Sequence, residues 1–209
     1  DFYFWLLALL ESKLEAPPSG HIITSIVGAA NVAFSEGSRN TVRLKDHATA
    51  LGDMLLLLKG RFRNRMEHIG MLLRLPDPAQ RLALLRAEFG VEARNWLTRV
   101  VDLWAYRWFA LGRFRGAESQ GLVYWNPLDY RTTPFCNWLA GQAVDEAKVN
   151  RRYDQLKNAI VNDDLEGMFV AWPMVSPKRT NNESDFAAIR DEVALPPFHW
   201  YCRTEIISK

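Results

Sequence analysis

Two short blocks in the second half of the chain hold its rarest reactive residues. The first block, residues 129–141, contains Cys136. The second block, residues 195–204, contains His199 and Cys202. These are the only two cysteines in 209 residues. Neither block shows the hydrophobic periodicity of a helix or a strand, so core packing alone explains neither. We therefore predict one site built from both blocks.

Thiolate and imidazole groups suit zinc, and a structural zinc site takes four such ligands. Only three are visible here, so the fourth would have to come from Asp129 or from water. Cys136 and Cys202 could instead pack as small hydrophobic side chains, or join in a disulfide. Nucleophilic catalysis by a cysteine with His199 as its base is a further interpretation. Nothing in the sequence marks an activating environment, and these alternatives stay open at this point.

The composition predicts a globular protein of one large domain or two small ones. Hydrophobic residues make up 48% and charged residues 24% of the chain, which disfavours wholesale disorder. Two cysteines exclude a disulfide-rich secreted scaffold. The net charge of +2 excludes a polycation. Because the chain begins with Asp1, we expect further residues upstream.

An apolar segment lies at the start of the chain. Residues 2–10 are nine apolar residues followed by Glu11. A membrane helix needs about 20 such residues, and a signal peptide would carry a basic flank. We therefore predict no membrane association and interpret the segment as a docking element, covered by the rest of the fold or by another subunit.

The middle of the chain has the pattern of a helical bundle. After a first predicted helix that ends near residue 60, three further predicted helices cover 62–73, 78–89 and 92–111. The short breaks between the helices favour antiparallel packing. Gly60 is predicted to end the first helix. The apolar stripe of that first helix consists of Leu44, Ala48, Leu51, Leu55 and Leu58.

The sequence pattern changes after Gly116, where the long helical patterns give way to shorter elements of mixed type. We predict an α+β protein in which a mainly helical N-terminal bundle precedes a small α+β C-terminal domain with few short strands. The predicted boundaries are 1–118 for the helical region and 119–209 for the C-terminal domain. Predicted elements of that domain are a strand at 121–125, irregular chain at 129–141, a helix at 145–161, a strand at 168–172 and a helix at 184–193.

Arginines are concentrated in residues 61–115, which hold eleven arginines, no lysine and five acids, for a local charge of +6. Guanidinium groups suit phosphate and carboxylate forks, so this stretch could contact DNA or an acidic protein surface. Solvated helix faces, or pairing with a partner's acids, are the more ordinary interpretation. The arginines stand at positions 61, 63, 65, 74, 81, 86, 94, 99, 107, 113 and 115, and the predicted contact residues are Arg61, Arg63, Arg65, Arg113 and Arg115.

The two blocks together resemble a known family. The pattern D-x-R-T-x-P-x-C-x-x-L-x-G from Asp129, followed by P-P-x-H-x-x-C-R from Pro196, resembles the Mu F-like phage head-morphogenesis proteins. Family members often carry cysteine where Thr133 and Thr204 stand. With both present, four cysteines would suit zinc; here one from each pair remains, and a four-thiolate site is not expected.

The resemblance implies a minor structural protein of a tailed-phage head, with no enzymatic activity. Such proteins lie inside the capsid, bound to the portal, and aid head morphogenesis and DNA packaging or ejection. The implied partners are the portal, other head proteins and genomic DNA, and the implied locations are the virion and, during assembly, the host cytoplasm. No cofactor is expected, with zinc at Cys136, His199 and Cys202 as a weak alternative. The predicted role of the site is a structural clasp formed by Asp129, Arg131, Cys136, His199, Cys202 and Arg203.

Two rival functions belong to other classes. One is a metal-dependent hydrolase or nuclease that uses His199 and Cys136. The other is the delivery module of a phage-derived toxin, which would need an additional catalytic domain that these residues do not show.

Overall fold

The structure is a computed structural model. It describes residues 20–39, 41–73, 75–77, 79–80, 83–84, 91–117, 121–200 and 202–208. Within these ranges the description leaves out the side chains of 20–23, 25, 61–67, 69–70, 72–73, 91–94 and 96–97. The predicted docking segment at 2–10 and most of the predicted helix at 78–89 lie outside the described residues.

The described residues form eight α-helices and a two-stranded antiparallel sheet, which confirms the predicted α+β class with a helical N-terminal part. In chain order the elements are α1 (Gly20–Gly37), α2 (His47–Leu73), α3 (Val91–Gly116), β1 (Leu122–Trp125), α4 (Pro134–Leu139), α5 (Glu146–Val161), α6 (Leu165–Ala171), α7 (Pro177–Thr180), a 3₁₀ turn (Glu183–Asp185), α8 (Phe186–Glu192) and β2 (Glu205–Ser208).

The first helix packs closely against the third. Glycines make this possible: a Cβ added at Gly112 would lie 2.1 Å from the Phe34 carbonyl oxygen. A Cβ added at Gly37 would lie 2.0 Å from the Phe109 carbonyl oxygen. The backbones of α1 and α3 therefore touch at positions where any other residue would force them apart.

Helix α2, which covers the first two predicted helices, differs from the prediction in two ways. It continues through Gly60 instead of ending there. The glycine serves a tertiary contact, because a Cβ added at Gly60 would lie 2.8 Å from Cδ1 of Leu165 in α6. Its buried face matches the predicted stripe only in part. Leu44 and Leu58 are buried as predicted, but Ala48 is exposed and Leu51 and Leu55 are half-buried, whereas Met54, outside the stripe, is buried.

The C-terminal part contains one of the two predicted strands. Strand β1 pairs antiparallel with β2, with Leu122 opposite Ser208. The predicted strand at 168–172 is wrong, because these residues lie mainly in helix α6. Asp164 accepts a 2.9 Å hydrogen bond from the Gly167 amide and so caps the helix, which competes successfully with the local β-propensity.

Two other helices of this part follow their predictions closely. Helix α5 spans Glu146–Val161 and is capped by Asp145, which accepts a hydrogen bond from the Lys148 amide. Helix α8 covers Phe186–Glu192, within the predicted 184–193. The first cysteine block is not irregular throughout, since α4 lies inside it. Its start at Pro134 is favoured by proline's fixed φ at a first helical turn.

A single cluster of buried side chains runs through the described residues on both sides of position 118. It includes Trp104 and Trp108 from α3, and Phe135 and Phe198 from the two cysteine blocks. The boundary between two domains at 118/119 stays a prediction. None of the helices in the described residues is long and apolar enough to cross a membrane.

Candidate functional site

The two-stranded sheet brings the cysteine blocks together. Strand β1 ends at Trp125, just before the first block, and β2 begins at Glu205, just after the second block. Trp125 and Glu205 are opposite each other in the sheet. The residues that follow one strand must therefore lie against the residues that precede the other. Residues from both blocks meet here.

The clearest contact between the blocks is the ion pair of Asp129 and Arg203. Arg203 Nη1 donates to Asp129 Oδ2 at 2.9 Å, and Nη2 donates to Oδ1. The same Nη2 also reaches Thr132 Oγ1 at 3.3 Å. The pairing is bidentate, which gives it geometric specificity as well as charge. Both side chains are about one-third exposed, at 31% for Asp129 and 33% for Arg203.

The Asp129 carboxyl is held in its ionised form. Hydrogen bonds from Arg203 lower its pKa well below the ordinary value, and the backbone amide of Arg131 contributes in the same direction. That amide donates to Asp129 Oδ1 at 2.9 Å. The Arg131 guanidinium is more loosely placed, since its Nη2 lies 3.5 Å from Asp129 Oδ2 and its side chain is 64% exposed. Arg131 thus joins the predicted clasp mainly through its backbone.

Asn126 is a residue of the site that the sequence interpretation missed. It is 2% exposed, and its Nδ2 donates to the Cys136 carbonyl oxygen at 2.6 Å. Its Oδ1 accepts from the Leu128 amide at 3.0 Å. Asn126 therefore ties the end of β1 to helix α4. The sequence did carry a signal for this role, because Asn126 is a polar amide directly after the apolar strand β1.

The two cysteines and His199 form a buried cluster. Their ligand atoms all lie within 4.8 Å of one another. The Sγ of Cys136 is 3.2 Å from His199 Nε2. Exposure is 2% for Cys136, 9% for His199 and 8% for Cys202. Both cysteines are free thiols in the structure.

The orientation of the imidazole is set by the backbone. His199 Nδ1 lies 2.8 Å from the Trp200 carbonyl oxygen. A carbonyl can only accept, so Nδ1 carries the proton of this bond. In the neutral ring, Nε2 then has a free lone pair, and it points at Cys136.

The three groups shift one another's proton affinities. The hydrogen bond to Cys202, followed by burial, raises the pKa of the Cys136 thiol. Burial works to raise the pKa of Cys202, but hydrogen bonds from Cys136 and His199 outweigh it and bring this pKa well below its ordinary value. Burial works to lower the pKa of His199, and the interaction with Cys202 reverses this. The pKa of each group in this cluster therefore depends on the other two.

Two threonine hydroxyls lie at the same place. Thr133 Oγ1 is 3.3 Å from His199 Nε2 and accepts a hydrogen bond from the Cys136 amide at 3.4 Å. Thr204 acts to lower the pKa of the Cys136 thiol, so its hydroxyl is near that sulfur. Thr204 Oγ1 is nevertheless buried without a hydrogen-bond partner. Thr133, Cys136 and Cys202 thus converge on His199, and Thr204 lies near Cys136.

A cavity of about 160 Å³ lies beside the cluster. Helix α3 contributes Asp102 and Tyr106 to its wall, and the second block contributes His199 and Cys202. The Tyr106 hydroxyl donates to the Thr204 carbonyl oxygen at 3.0 Å, which fixes α3 against the block. Burial raises the pKa of Tyr106, so this phenol stays protonated.

A second ion pair, which the sequence interpretation missed, lies in the core. Arg107 Nη1 donates to Asp53 Oδ1 at 2.9 Å, and both side chains are fully buried. Trp108 Nε1 donates to Asp53 Oδ2 at 3.1 Å. Arg107 Nη2 donates to the Trp172 carbonyl oxygen at 2.9 Å. Arg107 therefore does not belong to a basic surface, although it was counted in the arginine-rich stretch.

The predicted contact arginines are only partly described. Arg61, Arg63 and Arg65 lie on α2, and their side chains are outside the description. Arg113 is half-buried, 3.7 Å from Glu205 Oε2. Arg115 donates to Asn150 Oδ1 at 2.9 Å and lies over the rings of two neighbouring aromatic residues. The two described arginines thus have partners within the chain.

Comparisons with family models, with curated proteins and with solved structures found no match to this chain.

Proposed function

We propose that this protein is a minor structural component of a tailed-phage head, located inside the capsid and bound to the portal. In this role it aids head morphogenesis and DNA packaging or ejection. The proposal rests on the resemblance of the two blocks to Mu F-like proteins. One observation supports it: the residues that carry the resemblance contact one another in the fold. The pair of Asp129 and Arg203 joins the blocks across 74 positions of sequence.

The contacts of these residues fit a structural clasp better than a reaction centre. The Asp129 carboxylate already accepts hydrogen bonds from the Arg203 guanidinium and from the Arg131 backbone amide. Asn126 holds a backbone carbonyl of the first block. Loops without a hydrogen-bond ladder need such side-chain partners for their backbone groups. The site thus fixes two connecting segments against each other, which is what a structural role requires.

The proposal can be tested in the phage or prophage that encodes the chain. Mass spectrometry of purified particles should detect the chain in the head, and deletion of its gene should lower the yield of infectious particles. Complementation with the native chain or with Arg151→Ala, an exposed arginine outside the site, should restore infectivity. Arg203→Ala should restore it less well. Absence of the chain from purified particles would overturn the proposal.

A second function, a metal-dependent hydrolase or nuclease, is favoured by one observation. The cavity of about 160 Å³ beside His199 and Cys202 is large enough to admit a small polar group. Incubating the zinc-loaded chain with single- and double-stranded DNA and RNA separates the two functions. The structural proposal expects no cleavage above that of a His199→Asn variant, whereas cleavage lost in that variant would favour the hydrolase.

A further inference from the structure

We propose that Cys136, His199 and Cys202 bind a zinc ion that fastens the two blocks to each other. The inference rests on the geometry of this cluster and holds whether or not the protein is a phage head component. It revises the sequence-based expectation that no cofactor is present. Two cysteine sulfurs and an imidazole nitrogen are a ligand set that selects zinc over magnesium or calcium.

The distances fit a tetrahedral ion after a small adjustment. Zinc–sulfur and zinc–nitrogen bonds of about 2.3 and 2.0 Å place sulfur and nitrogen ligands about 3.5 Å apart in a tetrahedron. Cys136 Sγ and His199 Nε2 are 3.2 Å apart, and the three ligand atoms all lie within 4.8 Å of one another. The Cys136–His199 pair would need to open by only a few tenths of an ångström, and side-chain rotations would bring the other two pairs, each no more than 4.8 Å apart, to the separations of a tetrahedron.

The imidazole is already oriented for binding. A metal-bound histidine commonly donates its other ring N–H to a carbonyl or carboxylate, which fixes the tautomer and the ring plane. His199 Nδ1 has this partner, the Trp200 carbonyl oxygen at 2.8 Å. Nε2 is therefore the atom left to bind the ion.

The hydroxyls around the cluster account for the fourth coordination position. Thr133 Oγ1 is 3.3 Å from His199 Nε2, within reach of an ion bound there. Thr204 Oγ1 is buried without a partner, and leaving a buried hydroxyl unpaired is costly. A water completing the zinc shell would donate to Thr204 and remove this cost. We assign the fourth position to a water held between the two hydroxyls.

The first experiment measures the metal content of the native chain. The full chain is purified under reducing conditions from zinc-supplemented medium, and zinc is determined by elemental analysis. We expect about one zinc per chain, and a higher melting temperature with zinc than after chelation, because metal binding adds to folding stability. Cobalt substitution should give intense visible bands typical of a tetrahedral site with thiolate ligands.

Variants then assign the ligands. His199→Asn should lower zinc affinity by at least about tenfold, because it removes one of three protein ligands. The matched control is His47→Asn, since His47 is exposed and bonded to Asn31 at a distance from the cluster. Thr133→Cys should raise the affinity at least about tenfold by supplying a third thiolate. Because Thr133→Cys adds a ligand instead of removing one, its expected gain in affinity can be measured even if His199→Asn fails to fold.

Three results would overturn the inference. One is a native chain that folds, contains zinc far below one ion per chain and shows no cobalt spectrum. Another is equal zinc affinity in the native, His199→Asn and Thr133→Cys chains, which would place the ion elsewhere. A Cys136–Cys202 disulfide that persists under reducing conditions would also contradict it, because both thiolates would then be unavailable to the metal.

Discussion

Two of the carboxylate–guanidinium pairs in the described residues differ sharply in environment. Asp53 and Arg107 are fully buried between α2 and α3. Asp129 and Arg203 are about one-third exposed at the junction of the two cysteine blocks. The first pair receives further hydrogen bonds from core groups, including Trp108 Nε1. The second has partners in its own loops, including Thr132 Oγ1.

The difference shows that burial decides what each pair can do. Charges removed from water require exact partners, and removal of one partner leaves an uncompensated charge in the core. The buried pair is therefore expected to matter for global stability. The one-third-exposed pair is partly solvated, so its removal should lower stability less and should mainly affect the two blocks that it joins.

Breaking the buried pair should have the largest effect. Asp53→Ala leaves the Arg107 guanidinium without its carboxylate and should lower the free energy of unfolding by about 3–5 kcal/mol. Urea denaturation measures this change. The double variant Asp53→Leu/Arg107→Met removes both charges and should recover much of the loss. A double variant as unstable as Asp53→Ala would contradict this account.

Opening the clasp should have an intermediate effect. Arg203→Ala removes both hydrogen bonds to Asp129 and should lower the melting temperature by roughly 3 °C. Arg131→Ala is the matched control, because its guanidinium is mostly exposed and lies 3.5 Å from the same carboxylate. It should change the melting temperature much less. An unchanged melting temperature in Arg203→Ala would contradict the structural role of this pair.

The clasp should also weaken in acid. Arg203 lowers the pKa of Asp129 in the folded chain, whereas the unfolded chain has an ordinary aspartate pKa of about 3.9. The contribution to stability is therefore complete above that unfolded value and is lost as the pH falls below it, toward the folded pKa. The difference in melting temperature between the native chain and Asp129→Asn should be largest near neutral pH and shrink in acid. A difference independent of pH would argue against the ion pair.

An exposed ion pair provides the smallest expected effect. Lys59 and Asp163 form a salt bridge with side chains 44% and 68% exposed. Lys59→Gln should change the free energy of unfolding by less than about 0.5 kcal/mol, because water and salt screen this pair. Urea denaturation at low and high salt checks the value. A loss comparable to that of Asp53→Ala would show that burial does not rank these pairs.

The sequence was sufficient to predict the fold class, strand β1 and the meeting of the two blocks. Periodicity and caps are local signals, which is why α5, with Asp145 as its cap, was predicted closely. Strand and helix are hard to distinguish in a short apolar run, and α6 was therefore mistaken for a strand at 168–172. Gly60 was mistaken for a helix end because its function, close contact with Leu165, is tertiary.

The buried pair was missed for a physical reason. Charged residues are usually exposed, so Arg107 was counted with the surface arginines. Its spacing offered a signal, because Trp104, Arg107 and Trp108 lie on one face of α3 and all three are buried. Asp53 could not have been found in the same way, because the predicted stripe of α2 matches the buried face only in part.

The most direct test of the central claim, that the two blocks form one structural site, is a double-mutant cycle between Asp129 and Arg203. Melting temperatures are measured for the native chain, Asp129→Ala, Arg203→Ala and the double variant under identical buffer conditions. If the side chains act as one unit, the double variant should melt close to the less stable single variant. Losses that simply add would show that the two residues act independently and would contradict the claim.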